Sequence, residues 1–205
     1  MSEFKTAAIL LAAGLSSRMG QLKSLLPWEG STLIQYQIEQ MKQAKINEIV
    51  IVLGYQAERI QKNISGYEVK KVINESYKKG KSSSIRMGIS SLQGDAEGIL
   101  ISAVDQPVPT GVLKKMTNHL KESGAAVVIP MYEKRRGHPI LFHGSLKPEL
   151  QLIKEETMGL RSIIHKFEQQ IAYLDVADPS VLLNFNKPED YFNKRQEAPN
   201  ESIRD

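Results

Sequence analysis

The sequence predicts an α/β fold with a mainly parallel central sheet and helices on both of its faces. Short apolar runs alternate with segments of helical spacing from residue 6 to residue 130, and this alternation is typical of parallel sheets. The first run, residues 7–13, is apolar at every position, as expected for a strand that is buried on both faces. Ligands of such sheets bind beyond the carboxyl ends of the strands, so the functional site is expected there.

The individual elements are predicted from the hydrophobic periodicity of each segment. After the opening strand, helices are predicted at residues 32–45, 57–64, 83–92, 111–123, 147–154 and 160–167, with Ser82 or a neighbour capping the third and a last helix after the turn at 184–190. Further strands are predicted at residues 49–53, 69–73, 98–104, 125–130, 139–142 and 171–176.

Length and composition restrict the class of protein. A chain of 205 residues is long enough for one sizeable core, and we expect one domain over residues 1–193 and a polar, disordered tail over 194–205. The absence of cysteine excludes disulfides, thiolate catalysis and cysteine-based zinc sites. The net charge of +4 comes from scattered cations, which gives nucleic-acid binding no support. No apolar run approaches the roughly 18 residues of a membrane span, and we expect a cytoplasmic protein with no membrane partner.

The residues after the opening strand favour an anion-binding turn. They are small, polar or cationic: Ala12, Ala13, Gly14, Ser16, Arg18 and Lys23. Small residues let a ligand approach the backbone, turn N–H groups bind anions, and cations neutralise phosphate charge. The glycine spacing matches neither G-x-G-x-x-G nor the P-loop. The alternative is an ordinary turn with surface cations.

Residues 11–23 have the pattern L-A-A-G-x-S-x-R-M-G-x-x-K. This pattern resembles the signature of the nucleotidyltransferases that activate sugars, isoprenoid precursors and molybdopterin. The continuation K-S-L-L-P at residues 23–27 is most similar to the molybdenum cofactor cytidylyltransferases. The resemblance covers residues 6–192, and it implies a Rossmann-like nucleotidyltransferase fold.

The resemblance also implies a reaction, in which CTP and a molybdopterin-type cofactor give the cytosine dinucleotide form of the cofactor and pyrophosphate. Arg18 and Lys23 would hold the triphosphate, and backbone N–H groups around Gly14 would donate to it. Ala13 completes the L-A-A-G form that is usual for pyrimidine enzymes, whereas the guanylyl branch usually has L-A-G-G. We therefore expect CTP rather than GTP as the substrate.

A metal site is predicted from two separate segments. Asp105 ends a predicted strand, where a carboxylate suits either a capped turn or a hard cation such as Mg²⁺. The Asp-Gln-Pro segment resembles the metal-binding segment of the family and favours Mg²⁺ as cofactor. Residues 184–190 resemble its closing motif, which is usually acidic, and imply that Asn184 or Asn186 helps to hold the metal. For Asn186, a cap of the last helix is the alternative.

Residues 74–84 are rich in serine and resemble the family segment N-x5-G-x-S-x-S, which lies against the cytosine and ribose. The resemblance implies that Asn74, Ser82 and Ser84 contact the nucleotide. Without it, a capped serine-rich loop is the simpler interpretation.

The acceptor side is predicted from two further segments. Gly137, His138 and Pro139 match the G-H-P segment of the family, on the side that receives the pterin, and three cations precede them. We assign His138 no proton-transfer role. A second acceptor-side segment, usually G-D-x-G-x-R, is matched here only by Gly159 and Arg161. The resemblance thus implies that the G-H-P residues and Arg161 bind the acceptor.

Two other functions are alternatives. One is cytidylyl or uridylyl transfer to a sugar or polyol phosphate. The other is a weakly catalytic accessory protein that delivers molybdenum cofactor to a molybdenum hydroxylase such as xanthine dehydrogenase, which the asparagines of the closing motif favour. The predicted partners are CTP, a molybdopterin-type cofactor and such a hydroxylase.

Overall fold

A mixed sheet of eight strands forms the centre of the protein, and the computed structural model describes residues 4–197. Within that range a two-stranded ribbon accompanies the sheet. The strands are β1 Thr6–Ala12, β2 Pro27–Trp28, β3 Ser31–Thr32, β4 Glu48–Leu53, β5 Lys70–Ile73, β6 Gly98–Ala103, β7 Val127–Tyr132, β8 Arg135–Arg136, β9 Ile140–His143 and β10 Ile171–Asp175.

Seven α-helices are present in the described range: α1 Leu33–Gln43, α2 Ala57–Asn63, α3 Lys81–Ser90, α4 Thr110–Ser123, α5 Lys147–Leu152, α6 Leu160–Lys166 and α7 Pro188–Glu197. The predicted elements are confirmed, with ends that differ by at most two residues over 32–176. The two-residue strands β2, β3 and β8 were not predicted, because so short a segment carries no periodicity. None of the described helices is long and apolar enough to cross a membrane.

The strand order of the sheet is β10-β7-β9-β6-β1-β4-β5, with β8 paired to β7. β1 is parallel to both β4 and β6, whereas β9 is antiparallel to its neighbours β6 and β7. The chain runs outward from β1 through β4 to β5, and then adds β6 on the other side of β1. The strand order therefore reverses between β1 and β6, which is where open α/β sheets bind ligands.

Alternate side chains of β1 belong to two different core layers. Ala8 and Leu10 pack in the layer that includes apolar residues of α1, α2 and α4. Ala7 and Ile9 pack in the layer that includes residues of α3, α5 and α6. Every residue of β1 is buried. Burial on both faces explains why the strand is continuously apolar instead of alternating, and it confirms the predicted arrangement of helices on both faces.

The start of α3 differs from the predicted cap. Gly80 is the N-cap residue, with φ +102°, and Ser82 lies inside the first turn. The N–H of Ser82 donates instead to Oε2 of Glu155, at 2.9 Å, so a side chain distant in the sequence satisfies this turn. Only glycine suits position 80, because φ is positive and an added Cβ would lie 2.6 Å from the carboxyl carbon of Glu155.

The closing segment is anchored on the ribbon by aromatic packing. Phe185 and Tyr191 are each 1% exposed, and the ring centre of Trp28 lies 5.2 Å from that of Phe185. The hydroxyl of Tyr191 donates to the carbonyl of Pro27 at 2.5 Å. Helix α7 continues to Glu197, so residues 194–197 of the predicted tail are helical, and the rest of that prediction falls outside the described residues.

Candidate active site

Two neighbouring cavities adjoin the end of β6. The first cavity has a volume of about 380 Å³ and is lined by Asp105, and the second has about 880 Å³ and is lined by Gln106. Both volumes lie in the range of roughly 300–1,000 Å³ that is typical of ligand pockets. Lys81 lines both cavities and, among the residues that the structure describes, is the one they share.

The first cavity contains most of the predicted nucleotide and metal residues. Those that line it are Ala12, Ala13, Gly14, Ser16, Arg18, Lys23, Ser84, Asp105 and Asn186. They come from the end of β1, the following turn, α3, the end of β6 and the closing segment. The fold therefore brings together residues that are as far apart in the sequence as Ala12 and Asn186.

The turn after β1, residues 14–18, is here named the anion loop. Within the described chain, its five backbone N–H groups donate to no protein atom. A Cβ added at Gly14 would meet nothing within 4 Å, so the space above the loop is open to a ligand. Unpaired backbone N–H groups in a concave turn form an anion-binding site, as the sequence predicts for this turn.

Lys23 lies between two oxygen atoms at the floor of the first cavity. Its Nζ is 2.6 Å from Oδ2 of Asp105 and 3.3 Å from Oδ1 of Asn186. The side chains of Lys23 and Asp105 are only 13% and 18% exposed. Arg18, by contrast, is exposed, and within the described residues it makes no hydrogen bond or ion pair. Of these two cations, Lys23 is therefore paired and Arg18 is free in the described part of the chain.

The position of Asn186 depends on the closing segment. The N–H of Phe185 donates to the carbonyl of Asp105 at 3.0 Å, which fixes this segment against the end of β6. Oδ2 of Asp190 accepts from the N–H groups of Asn186 and Lys187, so Asp190 and not Asn186 supplies the side chain that caps this turn. Asn184 is exposed and lines neither cavity.

The oxygen donors fit a hard cation. Oδ2 of Asp105 and Oδ1 of Asn186 already converge on one positive charge, the ammonium of Lys23. The described residues contain no group of three or more carboxylates or imidazoles that would hold a metal alone. This suits Mg²⁺, which binds through one or two carboxylates together with phosphate oxygens and water.

A buried hydrogen-bond network lies beneath the first cavity. Asn74 is 2% exposed, and its Nδ2 donates to the hydroxyls of Ser83 and Ser84 at 2.9 and 3.0 Å. Its Oδ1 accepts from the N–H of Ser76. Asn74 therefore holds the serines of α3 in place from below. Ser84 lines the first cavity, whereas Ser82 lines the second.

The second cavity contains three of the four predicted acceptor residues. Gly137, His138 and Arg161 line it, and Pro139 is buried beside them. An added Cβ at Gly137 would lie 2.6 Å from the carbonyl oxygen of Val181, so the close approach of that segment requires glycine. Burial lowers the pKa of His138, the Lys81 charge lowers it further, and the charge of Asp105 opposes both effects.

Of the three cations before Gly137, only Arg136 lines the second cavity. Its guanidinium carbon lies 4.9 Å from the ring centre of Tyr173, an arrangement that stabilises a cation over an aromatic face. Lys134 and Arg135 are exposed and line neither cavity. The structure thus distinguishes one cation that lines a cavity from two that line none, which the sequence alone does not do.

Lys81 and Glu155 were not among the predicted site residues. The hydroxyl and the N–H of Ser82 donate to Glu155 and lower the pKa of its carboxyl group. Lys81 is open to the cavities, yet protein atoms around its amine remove water and lower its pKa, against the attraction of Asp105 and Glu155. Lys81 occupies the variable position between Gly80 and Ser82 in the serine-rich motif. Its place in that motif is the signal in the sequence that could have identified it.

Comparisons with known proteins identify the family of this chain. The MobA-like NTP transferase domain matches residues 8–172. A nicotine blue oxidoreductase from Paenarthrobacter nicotinovorans is 30% identical over 84% of this chain and 87% of its own. The molybdenum cofactor cytidylyltransferase of Escherichia coli is 26% identical over 92% and 94%. A probable molybdenum cofactor guanylyltransferase of Bacillus cereus is 26% identical over 96% and 99%.

A solved structure gives the same assignment at the level of the fold. A nucleotidyl transferase from Methanothermobacter thermautotroptrophicus has a TM-score of 0.80 at 25% identity, over 94% of this chain and 97% of that chain. The chain therefore belongs to the MobA-like NTP transferase family of nucleotidyltransferases.

Proposed function

We propose that the protein transfers the cytidylyl group of CTP to the phosphate of a molybdopterin-type cofactor. An oxygen of the acceptor phosphate attacks the α-phosphorus of CTP in line. The bond from the α-phosphorus to its bridging oxygen breaks, and pyrophosphate leaves with the electron pair. The product is molybdopterin cytosine dinucleotide. The attacking phosphate is already ionised near neutral pH, so the reaction requires no general base.

The observation that carries this proposal is the meeting of two unlike cavities at one strand end. The first combines the free N–H groups of the anion loop with Arg18 and Lys23. The second is larger and adjoins it at Lys81. Reactions of this kind are accelerated mainly by positioning and charge stabilisation. Two adjacent sites position the two substrates next to each other, and the cations and N–H groups of the polyphosphate site stabilise the charge.

The wall of the second cavity supports a ring-shaped acceptor. Six isoleucines line it: Ile85, Ile101, Ile129, Ile140, Ile164 and Ile171. The isoleucine part of the wall offers no partners to the hydroxyls of a polyol, and unpaired polar groups are costly. A flat ring system buries its faces there at a gain. Arg136 and Arg161 line the same cavity and supply positive charge for an anionic acceptor.

The residues of the first cavity would have different roles in binding the triphosphate. The anion loop and Arg18 bind phosphate oxygens, and Lys23 exchanges the carboxylate of Asp105 for a phosphate when CTP enters. Asp105 and Asn186 would hold Mg²⁺, which when bound neutralises phosphate charge. Fixed charges that face the developing charge are worth most where water is excluded, and Lys23 and Asp105 are largely buried.

The choice of CTP is supported by Ala13 and the L-A-A-G pattern. The cytidylyltransferase relative is 26% identical to this chain and the guanylyltransferase relatives are 26–29% identical, so overall identity does not separate the two bases. We further expect the product to pass to a molybdenum hydroxylase such as xanthine dehydrogenase, an expectation that follows from the family resemblance.

The test is pyrophosphate release by the purified protein with CTP and Mg²⁺, with and without molybdopterin. We expect release only when both substrates are present, and the cytosine dinucleotide as the product by mass. Parallel reactions replace CTP by GTP, or molybdopterin by a sugar or polyol phosphate. Preference for GTP would overturn the base assignment. Turnover of a polyol phosphate but not of molybdopterin would overturn the acceptor assignment.

The match to a nicotine blue oxidoreductase favours one second candidate. In it, the second cavity binds a ring compound that exchanges two electrons with a diffusible dinucleotide redox cofactor. The anion loop and the paired oxygen donors of the first cavity support nucleotidyl transfer instead. Pyrophosphate release separates the two candidates, because oxidoreduction of a ring compound produces none.

A further inference from the structure

We propose that Lys81 contacts the phosphate that is transferred, and that it is a catalytic residue at the boundary of the two cavities. This inference rests on the proposed nucleotidyl transfer and adds a residue that neither the signature nor the closing motif contains. Lys81 is the residue common to the linings of the first and second cavities. The bond that forms must lie at that boundary, because it joins a nucleotide in the first cavity to an acceptor in the second.

The ammonium of Lys81 is available for a ligand, unlike that of Lys23. Lys23 is held by Asp105 at 2.6 Å and by Asn186 at 3.3 Å. The ammonium group of Lys81 makes no hydrogen bond or ion pair with any described residue, although it lies among residues that line two cavities. An incoming phosphate therefore meets no competing partner at Lys81.

Charged groups of both cavities act on Lys81. Asp105 of the first cavity and Glu155 of the second each attract its ammonium group, and its charge acts in turn on the imidazole of His138. These effects require that Lys81 lies within electrostatic reach of both sides. A cation there attracts the α-phosphate and the attacking phosphate together, and so offsets the repulsion between two anions that must approach each other.

The backbone of Lys81 is fixed where the contact requires it. Lys81 is the first residue of α3. Glu155 holds the N–H of the next residue, Ser82, and an added Cβ at Gly159 would lie 2.8 Å from the hydroxyl of Ser82. These close contacts leave the long side chain of Lys81 as the movable part, which suits a cation that follows a phosphate along its path.

The experiment compares Lys81→Met, Lys81→Arg and the control Lys79→Met in the full-length protein. Lys79 is exposed and lines neither cavity. We expect Lys81→Met to lower kcat about 10²-fold, the scale for loss of one preorganised charge contact, with the KM for CTP changed less than about threefold. The kcat of Lys81→Arg should be at least about tenfold higher than that of Lys81→Met, because arginine restores the positive charge. Lys79→Met should match the unmodified protein.

The outcomes separate this inference from the proposed function. If the unmodified protein releases no pyrophosphate with CTP and molybdopterin, the proposed function fails and this inference with it. If it does, but Lys81→Met keeps more than half of its kcat, only the role of Lys81 fails. A loss that Lys81→Arg does not recover, with an unchanged melting temperature, would equally reject a role for the charge. A rise in the KM for CTP alone would make Lys81 a binding residue and overturn its catalytic assignment.

Discussion

The two cavities are built in different ways. The first takes about half of its wall from one short stretch of sequence, from the end of β1 through the anion loop to Ser24. The second takes its wall from α3, β6, the G-H-P segment, the loop before α6 and α6 itself. Recognition of a triphosphate needs backbone N–H groups and cations in a fixed local geometry, which one loop provides. Recognition of a larger acceptor needs a shaped volume, which only several elements together enclose.

The largest effect on turnover is expected when the carboxylate of Asp105, in the first cavity, is removed. We expect Asp105→Ala to lower turnover at saturating Mg²⁺ by about 10³-fold or more, because the carboxylate pairs with Lys23 and, in the proposed function, also holds Mg²⁺. The variant retains the hydrogen bond from the N–H of Phe185 to the backbone carbonyl of residue 105, so the melting temperature should change little. The matched control is Asp175→Ala, which removes another carboxylate at a strand end but away from both cavities. A large loss of thermal stability would instead assign Asp105 to a structural turn.

The next largest effect concerns Lys23. Lys23→Ala should lower turnover by about 10²–10³-fold and leave the fold intact, since its side chain pairs only with Asp105 and Asn186. The measurement is steady-state kinetics with CTP, beside Lys115→Ala on the exposed face of α4. A variant with more than half of the original activity would show that Lys23 has no essential contact with the triphosphate.

A moderate effect should be confined to the second cavity. Arg136→Gln should raise the KM for the acceptor about tenfold, the equivalent of roughly 1.4 kcal/mol, and leave the KM for CTP unchanged. Arg135→Gln is the matched control, because Arg135 is the neighbour on the same strand and lines neither cavity. An equal effect of both variants would mean that general charge, and not the cavity, attracts the acceptor.

The smallest effect should concern the base. Ala13→Gly should shift the ratio of kcat/KM for CTP and GTP only a few-fold towards GTP, because base choice also depends on hydrogen bonds, each worth about 1–3 kcal/mol when left unpaired. The methyl group of Ala13 packs in the core near Gly54 and is 4% exposed. The measurement is the ratio of kcat/KM for CTP and GTP, determined with the same acceptor for the unmodified protein and for Ala13→Gly. A protein that already prefers GTP would refute the cytidylyl assignment.

Prediction from the sequence succeeds where the physical signal is local. The buried strand β1, the open turn at Gly14 and the cations Arg18 and Lys23 lie within one short stretch, and the structure places all of them at the first cavity. The periodicity of α1 and α4 fixes these helices because their apolar faces are continuous. The prediction that Ser82 caps α3 was wrong, because the first turn of that helix is bound by Glu155, which lies 73 residues further along the chain.

The sequence by itself determined the succession of the helices and longer strands along the chain, the anion loop and the family, since each depends on neighbouring residues. Only the tertiary structure decided that Asn186 and not Asn184 faces Asp105, that Arg136 alone of three cations lines a cavity, and that Lys81 joins the two cavities. The physical reason is that these relations are set by packing between distant segments, such as the aromatic anchoring of Phe185 and Tyr191. No local pattern records where such packing places a neighbouring side chain.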